Sequence, residues 1–174
     1  MKTAAVGPGE VYHRYLTPKW AFMPTSGAGA AMDGGRFNRP GIEALYLSRS
    51  PQTALDEYRQ GASITPPATL AAYEVTLGEV ADLSEGFDPD HWDVAWAGWD
   101  CAWRQIARIH KKVPPSWALA DVVISKGLRG ILFPSLRHAG GTNLVVFPAN
   151  LTAGDSVVVH DPDQRLPRDQ SSWS

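Results

Sequence analysis

Residues 44–57 read Ala44-Leu45-Tyr46-Leu47-Ser48-Arg49-Ser50-Pro51-Gln52-Thr53-Ala54-Leu55-Asp56-Glu57, and this stretch decides the fold class. Ala44–Ser48 is short, apolar and followed by turn formers, which is the pattern of a buried strand. Ser50 is a good helix N-cap, and Pro51 behind it suits the first helical position. The spacing predicts a helix from Pro51 to about Gln60, with Ala54, Leu55 and Tyr58 on one face and Gly61 closing it. A strand that runs straight into a short helix points to a mixed architecture.

Upstream, Val11–Leu16 reads as a strand, and the Gly- and Ala-rich segment Thr25–Gly35 reads as a loop. Downstream, Leu70–Leu77 reads as a strand with Tyr73, Val75 and Leu77 on one face. Trp92, Trp96, Trp99, Trp103, Ile106 and His110 recur at helical spacing, so an amphipathic helix is expected there, its tryptophans packed in the core or else forming a docking surface for an antitoxin or a second copy of the chain, with Cys101 buried and inert among them. Pro114-Pro115 stops that helix, and Ser116 is expected to cap another from Trp117 to Lys126, ended by Gly127. Residues 130–133, 143–147 and 156–160 read as three further strands. The expected fold class is therefore α+β: a compact single domain over residues 1–162 with a mostly antiparallel sheet, followed by a polar, frayed tail over 163–174.

The chain has 174 residues, enough for one domain with its own core, and 44% of them are hydrophobic. The formal net charge of -2 shows no basic footprint, so direct nucleic-acid binding is not expected. One cysteine rules out an internal disulfide. No apolar run reaches the roughly 18 residues of a membrane-spanning helix, and the N-terminus lacks the apolar core of a signal peptide. The expected location is cytoplasmic. There is no phosphate-binding loop, no complete dinucleotide fingerprint, and no C-x-x-C or H-E-x-x-H pattern, so no metal is expected. A hydrolase triad of Ser135, His138 and Asp121 lacks the G-x-S-x-G elbow.

Two segments carry chemistry. In Gly34-Gly35-Arg36-Phe37-Asn38-Arg39-Pro40-Gly41, paired glycines allow close backbone approach, the Arg36 fork suits a phosphate, and an adjacent aromatic can cover a flat ring. In Phe133-Pro134-Ser135-Leu136-Arg137, a serine and an arginine leave a buried strand before the glycine turn Gly140-Gly141-Thr142-Asn143. Taken singly, Arg36 suits an exposed loop, Tyr46 a core strand position, Glu57 a solvated helix face and Ser135 a turn.

In order, Arg36 in G-R-F-N, Tyr46 in Y-L-S, Glu57 in A-L-D-E and Ser135 in P-S-L-R, with the G-G-x-N-L-V-V-F ending, resemble the motifs of the RES domain family over about residues 11–160. The resemblance implies a fold like that of ADP-ribosyltransferase toxins and NAD as substrate. It implies the toxin half of a toxin–antitoxin pair, held by an Xre-like antitoxin. Nicotinamide would leave from the ribose, and ADP-ribose would pass to water, phosphate or a protein such as phosphoribosyl pyrophosphate synthetase. Arg36 would grip phosphate or ribose, Tyr46 would orient the nicotinamide ribose, and Glu57 would offset the developing positive charge. Ser135 would bond the substrate or fix Glu57, while Phe37, Asn38 and Arg137 would supply further NAD contacts. The alternative is a catalytically inactive module that uses the same cleft to bind a ligand or partner.

Overall fold

A computed structural model describes residues 1–171. Six strands and three helices occur in the order β1 (Thr3–Leu16), α1 (Ala28–Asp33), β2 (Leu45–Ser48), α2 (Pro51–Arg59), β3 (Thr69–Asp82), α3 (Pro115–Ser125), β4 (Gly130–Pro134), β5 (Thr142–Val146) and β6 (Ser156–Val159). The sheet runs β1-β2-β5-β4-β3-β6, and β3 also pairs with β1. That pairing closes five strands into a barrel-like ring, with β6 added outside on β3. Every pairing is antiparallel except β3–β4, which is parallel where Ala81 and Asp82 face Ile131 and Leu132. The α+β class and the mostly antiparallel sheet are as expected.

Alternation along the strands splits the core in two. Leu45, Leu47, Tyr73, Val75, Leu132, Leu144 and Val146 face one cluster, together with Tyr12. Ile131, Phe133, Val145 and Phe147 face the other, against Leu119 and Val123 of α3 and three tryptophans. Both faces of β4 and β5 are thus covered, which is why these segments read as continuous apolar runs.

Helix α2 matches its sequence signals. The Ser50 hydroxyl accepts from the Thr53 amide at 3.1 Å, Pro51 opens the helix, and Gln60 ends it in the left-handed region at φ 52°. Other expectations need correction. The loop from Thr25 contains α1. Strand β1 begins at Thr3, because its pairing with β3 runs on from Leu16↔Thr69 to Thr3↔Ala81 through two register shifts. Helix α3 starts at Pro115 with Pro114 before it and no side-chain cap, and Ser116 is buried inside its first turn. The polar tail is tied down as far as Leu166, whose amide donates to Asp161 at 3.0 Å and whose side chain packs on the core. Residues 172–174 of that tail lie outside the described residues.

The largest correction is the tryptophan segment. No continuous α-helix spans 92–110; a 3-10 turn spans Val94–Gly98, and a single helical stretch over 103–109 is α only at Trp103 and Arg104 before a π-helical turn over Gln105–Ile109. The carbonyls of Trp99 and Cys101 accept hydrogen bonds from Arg36, at 3.1 and 3.0 Å, where a helix would turn them to amides four residues on. Gly98, pressed against Pro115, further weakens the helix. The tryptophans still enter the core: Trp92, Trp96, Trp99 and Trp103 are all buried. Cys101 is half-buried, its thiol 3.6 Å from the Ser116 hydroxyl.

Asp155 locks the turn before β6 to the rest of the sheet. Its side chain is 2% exposed and accepts from the amides of Gly78 and Thr152, both at 2.7 Å, and from Arg129 Nε at 3.1 Å. Burial pushes its pKa up, but these donors outweigh burial and hold it at about 2, below the ordinary 3.8. A depressed folded pKa contributes stability that is present above pH 3.8 and lost as pH falls through about 2. Asp155→Ala is expected to cost about 2–3 kcal/mol, because it strands a partly buried guanidinium and two amides. The loss should appear as a lower denaturant midpoint at pH 7 that converges on wild type near pH 2.

Candidate active site

A cavity of about 330 Å³ opens between β1, β2, helix α2 and the tryptophan segment. That volume lies in the range of small-molecule sites. Arg36, Tyr46, Glu57 and Arg137 all line it.

Glu57 projects from α2, and its Oε1 accepts two hydrogen bonds: from the Ser135 hydroxyl at 2.7 Å and from Asn143 Nδ2 at 2.7 Å. Among the described residues nothing bonds its second oxygen, so Oε2 is the one left for a ligand. Ser135 is set by its own turn. Its Oγ accepts from the Arg137 and His138 amides at 3.1 and 2.9 Å, which leaves its proton for Glu57. Asn143 is set by its neighbour on the sheet. Ser48 faces it across the β2–β5 register and donates to Asn143 Oδ1 at 2.7 Å. Both are buried, as is Ser135, so Ser48, Asn143 and Ser135 form a buried support that fixes the half-buried Glu57 carboxylate from two sides.

Arg36 reaches the cavity with Nη1 already committed to the two carbonyls of the tryptophan segment. Burial lowers its pKa, while the Cys101 thiol and Glu57 act against that fall. The guanidinium remains a cation, with its other nitrogens available to a ligand. The Tyr46 hydroxyl donates to Asn38 Oδ1 at 2.8 Å and accepts from the Phe37 amide at 2.9 Å. Burial drives its pKa well above the ordinary value, with the Phe37 amide and Arg36 opposing. Tyr46 is thus an anchor for the arginine loop whose ring forms cavity wall. Gly35 makes this anchor possible: a Cβ there would lie 2.5 Å from both Asn38 Oδ1 and the Tyr46 oxygen. Gly35→Ala is expected to cost about 2–3 kcal/mol by that clash, read as a lowered thermal midpoint.

The structure does not bring the side chains of Phe37 and Asn38 to the cavity. Phe37 is fully buried against Phe133, with ring centroids 4.8 Å apart. Asn38 is 1% exposed, and its Nδ2 donates to the carbonyls of Ala30 and Ile42, both at 2.9 Å. Both shape the loop behind Arg36. The hydrolase triad does not form either, since the His138 ring bonds Asp56 at 2.7 Å and Asp121 pairs with Arg39. The Asp56 carboxyl is held below its ordinary pKa, chiefly by that His138 hydrogen bond.

Sequence reasoning missed five residues at the site. Asn143 and Ser48 are polar side chains inside otherwise apolar strands, and buried polar groups need partners. Arg104 lines the cavity from the tryptophan segment. Tyr15 and Tyr58 add a stacked aromatic wall, with centroids 5.8 Å apart. Among the described residues no group of three or more His, Cys, Asp or Glu is arranged to hold a metal ion.

A family model described as RES domain matches residues 11–169. The chain belongs to the RES domain family. Arg36, Tyr46 and Glu57 line the cavity, and Ser135 bonds Glu57 from behind its wall. Among solved structures, the domain is similar to a chain of the M. tuberculosis MbcT–MbcA toxin–antitoxin complex. The TM-score is 0.62 at 24% identity, with 90% of this chain and 84% of that chain covered. This likeness concerns the fold. No curated protein sequence matches significantly.

Proposed function

We propose that this RES domain cleaves the bond between nicotinamide and ribose in NAD and passes ADP-ribose to an acceptor, as the toxin of a toxin–antitoxin pair. The observation that carries the reading is Glu57: one carboxylate oxygen pinned by Ser135 and Asn143, the other free, across the cavity from a cation. The glycosidic C–N bond breaks with its electron pair passing to the nicotinamide nitrogen. The pyridinium leaves as a neutral ring, so no acid is needed. Positive charge builds on the ribose as an oxocarbenium-like centre. Glu57 Oε2 accepts a hydrogen bond from a ribose hydroxyl and stabilises that charge without reorganising, because its partners already hold it. Arg36 grips the ligand's phosphate or ribose oxygens. The acceptor's nucleophilic atom then bonds the ribose carbon and releases its proton to solvent.

The acceptor is water, phosphate or a protein such as phosphoribosyl pyrophosphate synthetase. A toxin of this kind acts in the cytoplasm and is neutralised by a cognate Xre-like antitoxin, a pairing supported by the family match and by the fold's likeness to a chain from a toxin–antitoxin complex. The test is mass-spectrometric product analysis of the purified protein with NAD in plain buffer, with phosphate, and with bacterial lysate. Nicotinamide with free ADP-ribose, with its phosphorylated form, or with an ADP-ribosylated protein is the expected result and names the acceptor. No turnover of NAD under any of the three conditions overturns the reading and leaves a binding module in its place.

A further inference from the structure

Arginines outnumber acids around the cavity, where Glu57 is the sole carboxylate on the wall. Arg36, Arg104 and Arg137 all line it, and among the described residues none of the three lies within ion-pair distance of a carboxylate. Burial lowers the Arg104 pKa, and the like charges of Arg108 and Arg137 lower it further, with Glu57 acting against them. Like charges gathered without counterions cost folding free energy, and a bound anion recovers it.

Arg104 is also held ready. Its guanidinium lies over the Trp103 ring, 4.7 Å from the centroid, and Nη1 donates to Gln60 Oε1 at 3.3 Å. Gln60 is the left-handed residue that ends α2, the helix of Glu57. The tryptophan segment is therefore fastened to the site twice: by Arg36 to its carbonyls, and by Arg104 to the end of the catalytic helix. Stacking and one hydrogen bond fix the plane of the Arg104 fork yet leave its other nitrogens unspent. Arg137 approaches from the opposite element, the turn that also holds Ser135.

We propose that Arg104 and Arg137 form a two-armed clamp for the diphosphate of the ligand, so that the tryptophan segment is a substrate-holding strap as well as core. The ligand class rests on the NAD reading above; the anion preference rests on the arginines themselves. Two forks facing one cavity from different elements suit two adjacent phosphate groups better than one.

The experiment titrates ADP and AMP against the full chain by calorimetry, for wild type, Arg104→Gln and Arg104→Lys, with thermal midpoints as folding controls. Wild type is expected to bind ADP more tightly than AMP. Arg104→Gln should weaken ADP by about 10- to 100-fold, the worth of a charge-assisted bidentate contact, and should largely erase the preference for ADP. Arg104→Lys, which keeps the charge without the fork, should fall between. On NAD, Arg104→Gln should raise KM far more than it lowers kcat. A wild type that does not favour ADP, or an Arg104→Gln variant with the wild-type ADP-to-AMP ratio, overturns the clamp. A wild type that favours ADP, loses that preference in Arg104→Gln, and still leaves NAD intact would uphold the clamp and sink the NAD reading.

Discussion

Glu57→Gln lowers NAD turnover by about 10³-fold, while the fold and ligand affinity change little. The amide keeps the shape of the side chain, and its remaining oxygen can still accept from Ser135 and Asn143, so the buried contacts of Oε1 survive. What goes is the negative charge facing the ribose. Removing one preorganised group that stabilises transition-state charge costs about 10²–10³ in rate, and a full carboxylate at a developing cation belongs at the upper end of that range. The loss should therefore fall on kcat and spare KM, as for an interaction made in the transition state. The thermal midpoint should stay within a few degrees of wild type. In cells, expression of the wild type should arrest growth and the variant should not. A Glu57→Gln enzyme that turns over NAD at the wild-type rate would show that charge at this position plays no part, and the mechanism would need another anion. None lines the cavity among the described residues, since Glu57 is the sole acid on its wall.

Most of the site was legible because its residues sit in short local signals. The Ser50-Pro51 start places Glu57 on a helix, the paired glycines place Arg36 on a tight loop, and Pro134-Ser135 ends a buried strand. Phe37 and Asn38 were misread because adjacency in sequence does not fix direction. Arg36 turns to the cavity while its two neighbours turn inward, one to Phe133 and one to backbone carbonyls. The tryptophan spacing was misread as a continuous helix because periodicity reports which side chains are buried and is silent on which backbone groups a distant arginine will claim. The extra length of β1 was hidden for a related reason: Glu10 faces Val75 and Thr3 faces Ala81, pairings set by a strand about 65 to 80 residues away that no local window contains. Arg104 and the Ser48–Asn143 pair are likewise products of tertiary contact, visible in sequence only as polar residues in odd places.

Asn143 is where this hidden layer can be tested hardest. Its amide is 3% exposed, with Oδ1 taking the Ser48 proton and Nδ2 giving to Glu57. Asn143→Ala should cost about 2–4 kcal/mol, because it leaves a buried hydroxyl and a carboxylate oxygen short of partners beside a small void. It should also lower kcat by about 10- to 100-fold, since Glu57 keeps one anchor instead of two. A loss of stability alone could be read as packing, so the deciding variant is Asn143→Asp. It is nearly isosteric, but it puts a second carboxyl 2.7 Å from Glu57 Oε1. Two such groups cannot both ionise cheaply, so the pair holds one proton well above the ordinary carboxylate range. While that proton is present it can bridge to Glu57 as the amide does. When it leaves, Glu57 is repelled. Activity of Asn143→Asp should therefore be closest to wild type in acid and fall as pH rises, through a step that the wild-type profile lacks. If Asn143→Asp instead tracks the wild-type pH profile, or Asn143→Ala keeps its full kcat despite a lowered midpoint, Asn143 is only packing and Ser135 alone positions the carboxylate.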